Sequence, residues 1–108
     1  MIEYVYKLRN NPNVVQFSLN GTPIDFSSVT RMVLKFEKST TIEADSDVDA
    51  SLITWDASGN VTFKLWSLAF DDCFSSPSTL VVYDAGHPDG QILVHDHSQD
   101  LIFTFYDG

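Results

Sequence analysis

Three groups of side chains in this sequence carry donor atoms at spacings that chemistry uses. His95 and His97 flank Asp96. In an extended strand, residues two apart share a face, so both imidazoles would reach one ion of the zinc class, with Asp84 or Asp96 as a carboxylate ligand. No third ligand stands at a diagnostic spacing, and two histidines beside a turn are ordinary surface residues, so no metal is expected there. Glu43, Asp45, Asp47 and Asp49 alternate in the manner of calcium ligands. An EF-hand loop counted from Asp45 needs Gly at its sixth position and Glu at its twelfth. This chain has Ala50 and Asp56 at those places, and the run is expected to be a solvated charged loop. Cys73 follows Asp71 and Asp72, whose charges oppose thiolate formation, so it is read as a small buried residue and not as a nucleophile. No serine lies in a Gly-x-Ser-x-Gly elbow, and the glycines stand singly at turns, where they cannot cradle phosphates. No spacing marks out a pair of acids for glycoside hydrolysis, and a chain of 108 residues leaves little volume for a cleft. The sequence therefore predicts no catalytic residue, no metal and no cofactor.

The residues that remain are aromatic. Eight Phe, four Tyr and two Trp supply large buried area per residue, which helps a chain of 108 residues close one core without staples. Hydrophobic residues make up 44% and charged residues 19%, the balance of a folded globule. Six basic against fifteen acidic residues give a formal charge of −9, a field that repels phosphates; neither nucleic acid nor an anionic membrane is expected as a partner. One cysteine forms no internal disulfide, and the N-terminus lacks the basic and apolar regions of a signal peptide, so synthesis and folding in a cytoplasm are expected.

Period-two alternation dominates the chain. Ile2, Tyr4, Tyr6 and Leu8 share a face; Val15, Phe17 and Leu19 follow a polar breaker; Met32, Leu34 and Phe36 alternate with Arg31, Val33, Lys35 and Glu37. Residues 52–55 and 61–65 flank a hairpin turn ending in Gly59-Asn60, and Asn20-Gly21 is a second strong turn signal. Residues 39–50 read as a loop with room for a short edge strand around Ile42. Leu68, Ala69, Phe70 and Phe74 are expected to form one helical turn plugging an end of the core. Residues 79–83 read as a central strand buried on both faces, residues 86–90 as a turn, and 92–94 and 101–105 as the last strands. Seven or eight short strands without an amphipathic helix predict an all-β, antiparallel, immunoglobulin-like β-sandwich, with residues 1–108 as a single domain. A small barrel is the alternative. The expected core holds Phe17, Leu34, Phe36, Val61, Phe63, Leu65, Leu80, Val82 and Phe103.

Contact residues follow from the same pattern. Tyr4 and Tyr6 lie on a terminal strand set off by Asn10-Asn11-Pro12-Asn13. It reads first as an ordinary first strand of the sandwich, and otherwise as a strand that exchanges with or lines a neighbour's edge, where the two rings would anchor a contact with a neighbouring copy or partner. Trp66 is exposed if the alternation through Leu65 continues, and packs over Leu68 and Phe70 if it does not. Weak homo-oligomerisation that strengthens with salt is expected, because screening relieves the charge. An alternative use of solvent-facing rings is carbohydrate binding, for which Trp55, Trp66, Tyr83 and Tyr106 are the candidate platforms.

Three stretches taken together resemble a known family. They are Gly21-Thr22-Pro23-Ile24-Asp25-Phe26 leading into residues 32–36, Ile53-Thr54-Trp55-Asp56 with residues 59–65, and residues 80–90. Their order over residues 15–106 is similar to that of small tailed-bacteriophage and prophage proteins, the N-terminal domain of phage baseplate upper proteins above all. The resemblance implies an immunoglobulin-like sandwich and a non-enzymatic virion component, associated with tail or baseplate and in contact with other virion proteins. It implies a location in the virion after synthesis in the bacterial host cytoplasm, and it brings no catalytic residues.

Overall fold

In a computed structural model, which describes residues 1–68, 70 and 74–106, the chain is all-β. Its strands are β1 (Ile2–Tyr6), β2 (Asn13–Gln16), β3 (Ser18–Leu19), β4 (Thr22–Pro23), β5 (Val29–Phe36), β6 (Ser39–Asp45), β7 (Ile53–Trp55), β8 (Asn60–Phe63), β9 (Phe74–Asp84), β10 (His87–Val94) and β11 (Ile102–Tyr106). Among the described residues, one 3-10 turn is found, at Asp96–Ser98. One sheet runs in the order β1-β11-β9-β5-β6, with β10 also on β9; a second runs β2-β8-β7, and β3 with β4 forms a small ribbon.

Local chemistry sets the turns. Asn20 and Gly21 both take positive φ, 53° and 80°, as a two-residue hairpin between β3 and β4 requires. The β7–β8 hairpin is closed by Asp56, whose carboxylate accepts from the backbone N–H of Ser58 and Asn60 and from the Asn60 side chain. Those bonds hold the Asp56 carboxyl below its ordinary range, the Asn60 side chain contributing most. The turn expected at residues 86–90 lies earlier, at Ala85-Gly86. Gly90 instead sits at φ 84° within β10, where the register with β9 shifts between His87 and Gln91. Glycine there reads as a bulge and not as the end of a hairpin.

The core fills the space between the two main sheets. β5 contributes Met32, Leu34 and Phe36, β11 contributes Phe103 and Phe105, and β8 contributes Val61 and Phe63, all buried. Phe63 meets Phe103 edge-on at 5.3 Å, joining the sheets. Of the expected core, Phe17 and Val82 pack against the cluster while remaining partly exposed, and the other seven are buried in it. Ser76 and Ser78 are buried hydroxyls of β9. Ser78 Oγ donates to the Leu101 carbonyl, and Ser76 Oγ donates to the Pro77 carbonyl while accepting from the Lys38 N–H, so neither is left unsatisfied.

Four expectations need correction. β1 pairs with β11 in parallel, Ile2 against Ile102 through Tyr6 against Tyr106, so the fold is not wholly antiparallel. The whole domain serves as the crossover connection that a parallel pair needs. Two-sided burial belongs to β5, where Met32, Val33 and Leu34 are all buried, and not to residues 79–83. Val33 sits on the outer face between Asp45 and Val81, which neighbouring strands bring beside it. The edge strand expected around Ile42 is longer than the sequence suggests, running over Ser39–Asp45. Phe74 opens β9 and is not helical, although Phe70 does plug the core, packing against Phe36, Phe74 and Phe105. Ala69, Asp71, Asp72 and Cys73 lie outside the described residues, and with them the reading of that thiol.

Candidate functional site

Side chains on a strand alternate, and β1 turns Val5 into the core while Tyr4 and Tyr6 face outward. Lys7 N–H donates to the Tyr106 carbonyl at 2.9 Å and Leu8 N–H to the Trp66 carbonyl at 3.0 Å, which extends the attachment of β1 beyond its last paired residue. The first segment is thus an integral strand of its own sheet. Asn13 Nδ2 donates to the Tyr4 carbonyl at 2.9 Å and so occupies part of the outer edge of β1. β1 thus leaves open its outward face and, apart from the Asn13 contact at Tyr4, much of its outer edge.

That face carries a ladder of rings. Tyr106 of β11 stacks on Tyr4 at 6.0 Å and on Tyr6 at 6.1 Å, with interplanar angles of 20° and 25°. The three tyrosines remain 47%, 40% and 37% exposed for Tyr4, Tyr6 and Tyr106, and Met1, Ile2 and Leu8 are exposed along the same segment. Stacking of this kind contributes about 0.5–1.5 kcal/mol per pair beyond area burial, which holds the rings in place while their outer faces meet water. Tyr4 and Tyr6 are therefore where the sequence places them. Their link to Tyr106 is invisible in the local pattern, because a parallel pairing of remote strands creates it.

Trp66 does not join the ladder. β8 ends at Phe63, so alternation no longer governs Trp66, and its side chain packs partly buried against the core. Its backbone carbonyl accepts from the Leu8 N–H at the end of the β1 segment. Of the other rings, Tyr83 lies beneath the Arg31 guanidinium at 4.7 Å. Trp55 lines a cavity of about 460 Å³ together with Thr30, Ser46, Asp47 and Thr54.

The acidic run is taken apart by the fold. Arg31 donates through Nε to Asp45 Oδ1 at 3.0 Å and through Nη2 to Asp45 Oδ2, a bidentate pair in which the Asp45 side chain is only 7% exposed. Asp47 lies 3.5 Å from the same guanidinium, and Asp49 accepts from Ser51. Asp45 and Asp47 thus meet on one guanidinium, while Asp49 serves its own turn. Hydrogen bonds from Arg31 hold the Asp45 carboxyl below its ordinary value, burial opposing them. A carboxyl depressed in the folded state adds stability above its unfolded pKa of about 3.9, and loses it as pH falls through the lower folded value. Urea unfolding of Asp45→Asn across acidic pH is therefore expected to show a shallower loss of stability below about pH 4 than the parent chain.

His87 Nδ1 lies 2.8 Å from Asp84 Oδ1, a contact that lowers the Asp84 carboxyl. His95 and His97 do come together, but not by strand alternation. β10 ends at Val94, His95 caps the 3-10 turn, and the two rings meet edge-on at 4.5 Å. No family model, no curated protein and no solved structure matches this chain.

Proposed function

We propose that this chain is a non-enzymatic contact domain whose working surface is the aromatic face of β1 and β11. One observation carries the reading: the Tyr4–Tyr106–Tyr6 ladder is stacked yet open to solvent. Tyrosine supplies large amphipathic area at low entropic cost and is enriched where binding energy concentrates. β1 and its continuation also carry Lys7 and Arg9, two of only six basic residues, so much of the charge that opposes association lies elsewhere.

The strand order β5-β9-β11 with β6 beyond, facing β2-β8-β7, supports an immunoglobulin-like reading of the sandwich. The virion setting, as a tail- or baseplate-associated component of a phage or prophage, rests on the resemblance of residues 15–106. Mass spectrometry of purified particles from a host carrying this gene tests it; absence of the chain from those particles overturns it.

The contact surface is tested by sedimentation velocity at about 10 mM and about 150 mM ionic strength, where Debye lengths are about 30 Å and 8 Å. Weak self-association that grows with salt is expected for the intact chain and is lost in Tyr4→Ser/Tyr6→Ser. That variant stays folded because both side chains lie outside the core. A strict monomer at both salts and high concentration overturns self-contact, as does a double variant that associates unchanged. A second reading, saccharide binding, is favoured by Trp55 beside the hydroxyls of Thr30, Ser46 and Thr54. A glycan-array signal abolished by Trp55→Ala selects it.

A further inference from the structure

The turn after β10 holds an arrangement the contact function does not use. His95 is extended at φ −107°, Asp96–Ser98 form the 3-10 turn, and Gln99 closes it at φ 55°. The turn is pinned from several sides. Asp96 N–H donates to Thr79 Oγ1 at 3.0 Å, Ser98 Oγ to the His95 carbonyl at 2.7 Å, and Gln99 N–H to the Asp96 carbonyl at 3.1 Å. Donor atoms of His95, Asp96 and His97 all lie within 4.8 Å of one another. Asp96 Oδ1 is shielded from solvent and has no hydrogen-bond partner.

The protons on these groups matter. His97 N–H donates to His95 Nδ1 at 3.1 Å, so that nitrogen offers a lone pair and not a proton. Asp96 Oδ1 approaches the same nitrogen at 3.2 Å and lies 3.6 Å from His97 Nε2, beyond hydrogen-bonding range. Three electron-pair donors converge with no hydrogen bond among them, and a shielded carboxylate oxygen without a donor is unfavourable. A cation resolves the arrangement. Two bonds of about 2.1 Å at a tetrahedral angle place ligand atoms about 3.4 Å apart. The two separations from Asp96 Oδ1 bracket that value, and the histidine nitrogens, within 4.8 Å of each other, reach it by rotation of the exposed His97 ring.

We infer that His95, Asp96 and His97 bind a divalent transition metal of the zinc class, with water completing the coordination. Two imidazoles and one carboxylate suit zinc, nickel or copper over calcium or magnesium. Coordination at His95 Nδ1 displaces the His97 N–H contact, which lies at an exposed turn where water takes over. A cavity of about 370 Å³ beside Asp96, whose charged lining also includes Glu37, Glu43 and Lys35, leaves room for metal-bound water. The site is independent of the tyrosine ladder.

The test is isothermal titration of zinc chloride into the full chain, with calcium chloride as comparator, and histidine ring signals followed by NMR. One equivalent of zinc is expected to bind while calcium does not, and the His95 and His97 resonances shift while those of His87 stay. Loss of an outer-shell partner alone weakens metal binding by about 10–100-fold, so His97→Ala and Asp96→Asn are expected to weaken it by at least tenfold. The histidine side chains are 44% and 87% exposed, so their replacement leaves the fold intact. His87→Ala and Cys73→Ser are expected to bind as the parent does. Absence of binding at millimolar zinc overturns the inference. So does binding that survives His95→Ala/His97→Ala, or binding that is lost in Cys73→Ser.

Discussion

Phe103→Ala is expected to destabilise the domain by about 3–5 kcal/mol, as deletion of a buried ring does when the surroundings cannot collapse onto the gap. The ring is completely buried, lies against Phe63 at 5.3 Å and Phe36 at 6.1 Å, and so touches both main sheets at once. Both neighbours meet it edge-on, with interplanar angles of 80° and 70° for Phe36 and Phe63, so the loss includes ring–ring contacts as well as area. Against a total stability of about 5–15 kcal/mol, this removes a large fraction. Urea unfolding followed by tryptophan fluorescence reads the effect. A loss below about 1 kcal/mol would mean that the sheets do not rely on this ring to stay together.

The second large effect is expected at Gly59. Its φ of 80° is one that residues with a Cβ adopt at a cost of about 1–3 kcal/mol. An added Cβ would also stand 2.4 Å from the Phe17 carbonyl oxygen and 3.0 Å from the Ile24 nitrogen, both backbone atoms that cannot swing away. Phe17 N–H donates to the Gly59 carbonyl at 2.8 Å, so the β7–β8 turn is clamped to the chain beside β3 and β4. Gly21 has the same φ of 80°, with nothing within 4 Å of an added Cβ. Gly59→Ala should therefore lose clearly more stability than Gly21→Ala, the difference measuring the close approach apart from the backbone strain. Equal losses in the two variants by urea unfolding would show that the clamp is slack.

These two positions also show what a sequence makes legible. The hairpin turns and the period-two strands are local, and Asn20-Gly21, Gly59-Asn60 and the Met32, Leu34 and Phe36 series announce them. Phe103 reads as core for the same reason. What pairs with what is not local. Tyr106 was readable as an outward ring, but only the parallel β1–β11 register places it between Tyr4 and Tyr6. Val33 sits on the nominally polar side of β5, and it is buried because neighbouring strands place Asp45 and Val81 beside it. Alternation misplaced Trp66 because the strand stops short of it, and it explained His95 and His97 by a strand that had already ended. The acidic run matched no calcium template, yet the Arg31 side chain that dismantles it comes from β5, a strand earlier in the chain.

The pairing of β1 with β11 also fixes an order of events during synthesis. The first strand leaves the ribosome with its partner still untranslated, because Ile2 waits for Ile102. At about 5–20 residues per second, the delay is on the order of ten seconds. Throughout it, the core lacks Phe103 and Phe105, and Ile2, Tyr4 and Tyr6 hang on a strand without its sheet partner. The sheet closes only when the carboxyl-terminal strand arrives, so a ribosome that stalls before residue 102 releases an open, adhesive intermediate and not a shortened domain.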